Sequence, residues 1–92
     1  MGSGAAQNEQ RITLDPDPPV QGQDVTICYR FDGSGVSSTT LRVTFDSGTP
    51  TDYEVSTSQP CVTIPVPDSA TSITVEDMNG PSPDKNAPVS PT

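Results

Sequence analysis

The sequence predicts an all-β protein, a two-sheet antiparallel β-sandwich of about seven strands. Apolar residues recur at every second position in several short runs, which is the periodicity of a strand with one buried face. Segments rich in Asp, Gly and Pro separate these runs at intervals of about ten residues, which is typical of a sandwich. Thr, Ser, Val and Pro are abundant whereas Leu and Ala are scarce, which disfavours a helical bundle.

Each predicted strand carries its apolar residues on one face. In chain order, the predicted strands are Ile12 to Leu14, Asp24 to Phe31, Thr40 to Asp46, Tyr53 to Val55, Val62 to Val66, Ile73 to Val75 and a weak strand around Val89. Their inward-facing residues form the predicted core: Ile12, Leu14, Val25, Ile27, Tyr29, Phe31, Leu41, Val43, Phe45, Tyr53, Val55, Val62, Ile64, Val66, Ile73, Val75 and Val89.

Four turn-rich segments connect these strands. They are Asp15 to Pro19, Asp32 to Gly35, Asp46 to Pro50 and Asp77 to Pro88, and each combines residues that set turn dihedral angles. Pro65 falls inside a strand pattern. Because proline cannot donate to a β-ladder, it indicates an edge strand, a bulge or an early strand end.

The composition alone would also fit a disordered acidic chain. Only 17 of the 92 residues are Leu, Ile, Val or Phe, and the formal net charge is −8. Disordered chains rarely arrange successive apolar sets in register with turns between them, so the periodicity favours a folded domain. The predicted core is thin for its length, which suits a domain that depends on a disulfide.

Several classes of protein are excluded by residue content. The chain has 4 Lys and Arg against 12 Asp and Glu, so a nucleic-acid partner is not expected. No apolar run approaches the ~20 residues of a membrane-spanning helix. Without His, and with 2 Cys, the sequence holds no zinc ligand set and no His-based catalytic dyad or triad. We therefore predict no catalytic residues, no cofactor and no metal site built from soft ligands.

Cys28 and Cys61 are predicted to form a disulfide, which implies an oxidising compartment and a secreted or cell-surface location. Both residues lie opposite the apolar sets of their strands, so the bridge is expected on the outer face of the sheet. The alternative is a pair of reduced, half-buried thiols in a cytosolic protein.

The first ten residues are predicted to lie outside the folded domain. Met1 to Gly4 is typical of an expression scar, and the polar residues up to Gln10 are expected to be a disordered lead-in. The predicted domain covers residues 11–91.

The run Gly22-Gln23-Asp24-Val25-Thr26-Ile27, after a Pro-rich break, resembles the start of strand B in immunoglobulin-like and fibronectin-III-like modules of secreted and cell-surface proteins. The resemblance extends as a pattern over about residues 11 to 91 and implies an immunoglobulin-like sandwich. The chain has no Trp, and Cys61 opens the fifth predicted strand. The resemblance therefore implies the sandwich and not antibody-like recognition.

In an immunoglobulin-like sandwich the loops gather at two ends. One end would bring together a candidate contact site made of Asp32, Asp77, Asn79, Asp84 and Lys85. We expect a protein or cell-surface partner to contact this end through Gly33 to Ser38 and Met78 to Asn86. Carboxylates and carbonyls are also calcium ligands, so calcium is an alternative ligand of these loops. The remaining interpretation is that these residues are solvated turn caps.

These observations predict a non-catalytic, secreted, monomeric immunoglobulin-like module that binds a partner or spaces other domains. One alternative is a free-standing small secreted effector or inhibitor that acts through its loops. A further alternative is a small hydrolase with paired carboxylates, although a sandwich of this size offers no deep cleft.

Overall fold

Residues 9–92 are described by a computed structural model, and they contain β-strands and no helix. The strands are β1 (Ile12–Asp15), β2 (Asp24–Tyr29), β3 (Ser38–Phe45), β4 (Thr51–Ser56), β5 (Cys61–Pro65), β6 (Ser72–Asp77) and β7 (Lys85–Pro88). The all-β prediction with about seven strands is confirmed. The predicted expression scar and the lead-in through residue 8 lie outside the described residues.

The strands form two antiparallel sheets that share one core. The first sheet has the order β1-β2-β5, and the second has the order β4-β3-β6-β7. β3 and β4 form a hairpin in the second sheet, and the chain then crosses to β5 in the first. Buried residues from both sheets belong to a single hydrophobic cluster, so the arrangement is sandwich-like.

The alternation in the sequence determines which face of each strand is buried. In β2, Val25 and Ile27 are fully buried and Tyr29 is 3% exposed, whereas the residues between them are more accessible. Most of the predicted core is buried, and Ala70 joins it. The predicted core residues that are only partly buried lie at the margins of the cluster: Phe31, Phe45, Tyr53 and Val62.

The two cysteines form the predicted disulfide. Cys28 lies directly opposite Cys61 in the β2–β5 ladder, with a Cα–Cα distance of 4.0 Å. Cys28 is half-buried and Cys61 is exposed, so the bridge lies on the outer face, as their positions opposite the apolar sets predict.

The last strand differs from its prediction. Lys85 and Asn86 were expected in a loop, but they begin β7 and pair with Val75 and Thr74 of β6. β7 ends at Pro88, before Val89. β7 has no fully buried residue, and Ala87 is its only residue that packs against the core, so its sequence lacks the apolar alternation that marks the other strands.

The first and the last described residues lie near opposite ends of β2. Residue Arg11 accepts a backbone hydrogen bond from Arg30, which follows the last residue of β2. Thr92 donates its side-chain hydroxyl to the carbonyl of Gln21, which precedes the first residue of β2. A parallel bridge between Val20 and Ser90 joins the segment after β1 to the end of the chain.

Candidate functional site

Three segments meet at the end of the molecule where β2 stops. They are the β2–β3 connection (residues 30–37), the β6–β7 connection (residues 78–84) and residues 9–11. We call this region the loop end. It contains three of the five residues predicted as a candidate contact site, Asp32, Asn79 and Asp84, and Asp77 borders it as the last residue of β6.

Arg11 connects the two loops of this end. Its side chain is buried, and Nη1 donates to the carbonyls of Arg30 at 2.9 Å and Asp32 at 2.6 Å. Its backbone N–H donates to Ser82 Oγ at 3.0 Å in the other loop. One buried guanidinium therefore orders the β2–β3 connection while its own backbone contacts the β6–β7 connection.

Gln10 adds two further contacts to the β6–β7 connection. Its Nε2 donates to the carbonyl of Asp84 at 2.9 Å, and its Oε1 accepts from Ser82 Oγ at 3.2 Å. Asp32 and Asp84 thus take part through their backbone carbonyls. Both residues are exposed, so their carboxylates are accessible to solvent or to a partner.

Asp77, the last residue of β6, is the centre of a hydrogen-bonded cluster. Its Oδ2 accepts from Tyr29 Oη at 2.5 Å and from the Ser82 N–H at 3.0 Å. Its Oδ1 accepts from Thr39 Oγ1 at 2.5 Å and from the Gly80 N–H at 2.8 Å. We call Asp77 and these four donors the Asp77 cluster.

These contacts shift the acidity of the two titratable members in opposite directions. Partial burial acts to raise the pKa of Asp77, but the hydrogen bonds from Thr39, Tyr29, Ser82 and Gly80 outweigh it and leave this pKa lowered. Burial, followed by the hydrogen bond and the charge of Asp77, raises the pKa of Tyr29. At neutral pH the pair is a phenol donating to a carboxylate.

Thr39 is the member of this cluster that lies outside every predicted strand and contact segment. Thr39 is buried, and its hydroxyl also accepts from the Asn79 N–H at 3.1 Å. A signal for it was present, because Thr39 shares the inward register of Leu41. A Cβ at Gly80 would lie 2.5 Å from Tyr29 Oη and would overlap the Asp77 carboxylate. Only glycine, which has no Cβ, fits this position without displacing them.

Lys85 does not join the other predicted contact residues. Its Nζ forms a salt bridge with Asp17 Oδ2 at 3.1 Å. Asp17 belongs to the segment that follows β1. Asn79 is exposed beside Met78, whose exposed fraction is 42%.

Within residues 9–92, no group of three or more His, Cys, Asp or Glu side chains is arranged to hold a metal ion. In the same part of the chain, no helix is long and apolar enough to cross a membrane. Comparisons of the chain with protein-family models, with curated proteins and with solved structures gave no match.

A groove of about 430 Å³ lies away from the loop end, between β4 and β5. Aromatic and proline side chains supply much of its lining: Phe45, Tyr53, Pro65 and Pro67. No local sequence pattern predicts this groove, because its lining comes from segments that are distant in the chain.

Proposed function

We propose that the protein is a non-catalytic, secreted, immunoglobulin-like module that separates or binds other domains. The observation that carries this proposal is the path of the chain. Residues 9–11 lie at the loop end, whereas Thr92 contacts Gln21 at the other end of β2. Domains joined to the two ends of this path would be held at opposite ends of β2.

The immunoglobulin-like assignment is supported by the sheet orders. Seven antiparallel strands in sheets of three and four, with a crossing after the β3–β4 hairpin, are typical of these sandwiches. Compared with the constant-type order, in which the fourth strand belongs to the first sheet, β4 here pairs with β3 in the second. The resemblance of the run from Gly22 to Ile27 to fibronectin-III-like modules also supports a two-sheet sandwich of this class.

The Asp77 cluster supports a structural module and not a catalytic one. Both oxygens of the Asp77 carboxylate accept hydrogen bonds from within the chain. A carboxylate in this state serves to order the loop end, because its acceptor positions are filled by Tyr29, Thr39 and two backbone N–H groups.

The disulfide supports secretion. A bridge on the outer face, accessible to solvent through the exposed Cys61, persists in an oxidising compartment and is reduced by the thiol systems of the cytosol.

For the binding form of this function, the contact surface we propose is the loop end. Asp32, Asn79 and Asp84 are exposed there, and Met78 adds an exposed apolar side chain. Because Arg11 contacts both the β2–β3 and the β6–β7 connection, and Gln10 adds contacts to the second, this surface is ordered before a partner arrives, which reduces the entropic cost of binding.

The separating role is tested by joining two copies in tandem, the last residue of one directly to Glu9 of the next, and measuring small-angle X-ray scattering. We expect an elongated particle whose longest dimension clearly exceeds the 43 Å of one copy. The control is the same pair joined by a long Gly/Ser linker, which should give a broader distribution of distances. A tandem that folds back into a compact particle would contradict the separating role.

A further inference from the structure

We propose that the outer edge of β4 binds an extended, basic peptide segment of a partner protein, which adds a strand to the β4-β3-β6-β7 sheet. The occupant we infer alternates lysine or arginine with small apolar residues. This inference goes beyond the separating role and uses a surface other than the loop end. Three independent features of β4 support it: its free backbone groups, the groove beside it and its charge.

The register of β4 on β3 determines which of its backbone groups have no partner within the sheet. Thr51, Tyr53 and Val55 of β4 lie opposite Val43, Leu41 and Thr39 of β3. Thr57 donates its N–H to the carbonyl of Ser37 on the β3 side, whereas Ser56 donates to Gln59 on the other side.

N–H direction alternates along a strand, so the N–H and C=O groups of Asp52 and Glu54 point away from β3. No strand of the described residues pairs with this side of β4. These two residues therefore present donors and acceptors to an incoming strand.

The other sheet edges in residues 9–92 are protected by proline. β1 has four residues and ends just before Pro16, β5 ends with Pro65, and β7 ends with Pro88. Prolines and short length block the addition of a further strand. β4 is six residues long and contains no proline, so it is the edge best suited to pairing.

The groove lies on the inward side of the β4 edge. Val55 is 1% exposed, but Tyr53 is only half-buried and Thr51 is exposed, so the inward face of β4 becomes more accessible toward its first residue. Phe45 and Pro67 complete an apolar wall at the same place. The inward-facing residues of an added strand would lie over this wall, which small apolar side chains such as valine fit.

The outward side of the same edge is acidic. Asp52 and Glu54 are exposed there, and Glu54 accepts a hydrogen bond from Thr40 Oγ1 at 3.2 Å. Arg42 neutralises Asp52 through two hydrogen bonds, at 2.9 and 3.1 Å, and none of the ion pairs found in residues 9–92 involves Glu54. The formal net charge of −8 adds a long-range attraction for cations. Basic side chains of an added strand would lie beside Glu54.

The probe is a blocked heptapeptide, Thr-Lys-Val-Lys-Val-Lys-Thr, titrated into the ¹⁵N-labelled protein at low ionic strength. We expect chemical-shift changes at Asp52, Glu54 and the groove residues, with slowed hydrogen exchange of the Asp52 and Glu54 amides. Replacing the lysines by glutamates should abolish binding. Methylating alternate backbone nitrogens of the peptide should also abolish it, because the hydrogen bonds to β4 are lost.

Protein variants distinguish the contribution of charge to binding from that of the backbone hydrogen bonds. Glu54→Lys should weaken binding by about tenfold or more, because it opposes the lysines. Asp15→Lys makes the same change of net charge on the other sheet and should have a much smaller effect. Glu54→Pro removes an outward N–H without removing a β3–β4 hydrogen bond and should abolish binding.

Far-UV circular dichroism and thermal melting establish that each variant is folded. If Glu54→Pro does not fold, the N-methylated peptide tests the same hydrogen bonds from the partner side. Three results would overturn the proposal: no binding at millimolar peptide, equal binding of the methylated peptide, or shifts that map to the loop end and ignore Glu54→Lys. None of these results bears on the scattering of the tandem pair, so the separating role is judged independently.

Discussion

Tyr29 of β2 donates a 2.5 Å hydrogen bond from its hydroxyl to the carboxylate of Asp77 at the end of β6, and so links the two sheets at the loop end. The same carboxylate accepts from Thr39 of β3 and from two N–H groups of the β6–β7 connection. One side chain therefore holds three strands and a loop together where the apolar core ends.

The first prediction concerns the strength of this link. Asp77→Asn should lower the free energy of unfolding by about 1–3 kcal/mol, because an amide cannot accept all four hydrogen bonds and loses the charge that strengthens them. Tyr29→Phe should cost less. In a double-mutant cycle measured by urea unfolding, we expect a coupling energy of about 0.5 kcal/mol or more. Asp84→Asn, with an exposed carboxylate at the same end, is the control and should change stability by less than about 0.5 kcal/mol. Equal losses for Asp77→Asn and Asp84→Asn would show that the cluster contributes nothing specific.

The second prediction is a loss of stability in acid. The pKa of Asp77 is lowered in the folded protein, so its contribution to stability is fully present above the ordinary pKa of an aspartate and is lost as the pH falls through the lowered value. Hydrogen bonds from Thr71 lower the pKa of Asp46, and the hydrogen bond from Arg42 lowers the pKa of Asp52. The contributions of these two carboxylates to stability are therefore lost in acid in the same way. Urea unfolding of the wild type should therefore show decreasing stability below about pH 4. Asp77→Asn should show a shallower decrease, and a slope identical to that of the wild type would contradict the assignment.

The third prediction follows from the contact that Gly80 makes. Gly80→Ala would bring a Cβ to 2.5 Å from Tyr29 Oη and into the Asp77 carboxylate, so we expect a loss of about 1–3 kcal/mol. Gly48→Ala is the matched control, because its Cβ would meet only the Phe45 carbonyl at 3.2 Å, and it should cost less. Loss of the Tyr29–Asp77 hydrogen bond in Gly80→Ala can be followed through the Tyr29 hydroxyl and ring resonances in NMR spectra. If Gly80→Ala costs no more stability than Gly48→Ala, then Gly80 does not pack closely against Tyr29 and Asp77.

The sequence predicted most of the fold because strand periodicity is a local property. A period of two assigns Val25 and Ile27 to one face and Cys28 to the other, and burial on a shared core fixes the register. The same rule located the disulfide on the outer face. It did not find β7, since Lys85 to Pro88 forms a polar edge strand whose hydrogen bonds to β6, and not its apolar residues, define it.

The candidate site was harder to predict because its contacts are made between distant segments. No local pattern marks Arg11, yet its guanidinium is buried against carbonyls about twenty residues later in the chain. Asp77 was expected as an exposed loop carboxylate, whereas it is partly buried and its carboxylate accepts hydrogen bonds from side chains of two other strands. Asp32, Asn79 and Asp84 stay accessible at the loop end, so their role as contact residues stays a prediction.

The fourth prediction tests the assignment of faces. Ile27→Ala and Val43→Ala should each cost more than about 1.5 kcal/mol, because both side chains are almost fully buried and their truncation leaves a cavity. Thr44→Ala, on the outer face of the strand that carries Val43, should cost much less. Chemical unfolding of the three variants decides the matter. Similar losses at all three positions would mean that β3 is shifted by one residue relative to its partners.

The fifth prediction concerns the disulfide. The bridge closes a ring of 33 residues, and the chain-entropy model gives ~3.7 kcal/mol for a ring of this size. Reduction, or the pair Cys28→Ala and Cys61→Ala, should therefore lower stability by about 2–4 kcal/mol while the fold is retained, because the core cluster does not depend on the two sulfur atoms. Intact mass with and without reductant establishes the oxidised state, and thermal or urea unfolding measures the loss.

The control for this experiment is the neighbouring cross-strand pair in the same ladder. Thr26 and Thr63 lie directly opposite each other on the same outer face and share a 2.9 Å hydrogen bond between their hydroxyls. Replacing both by alanine removes a non-covalent pair at nearly the same place, so it should cost about 1 kcal/mol or less. A loss at the cysteines no larger than at the threonines, or a melting temperature unchanged by reductant, would show that the core is sufficient without the bridge. Two free thiols in freshly purified, non-reduced protein would contradict the disulfide itself and remove the main support for secretion.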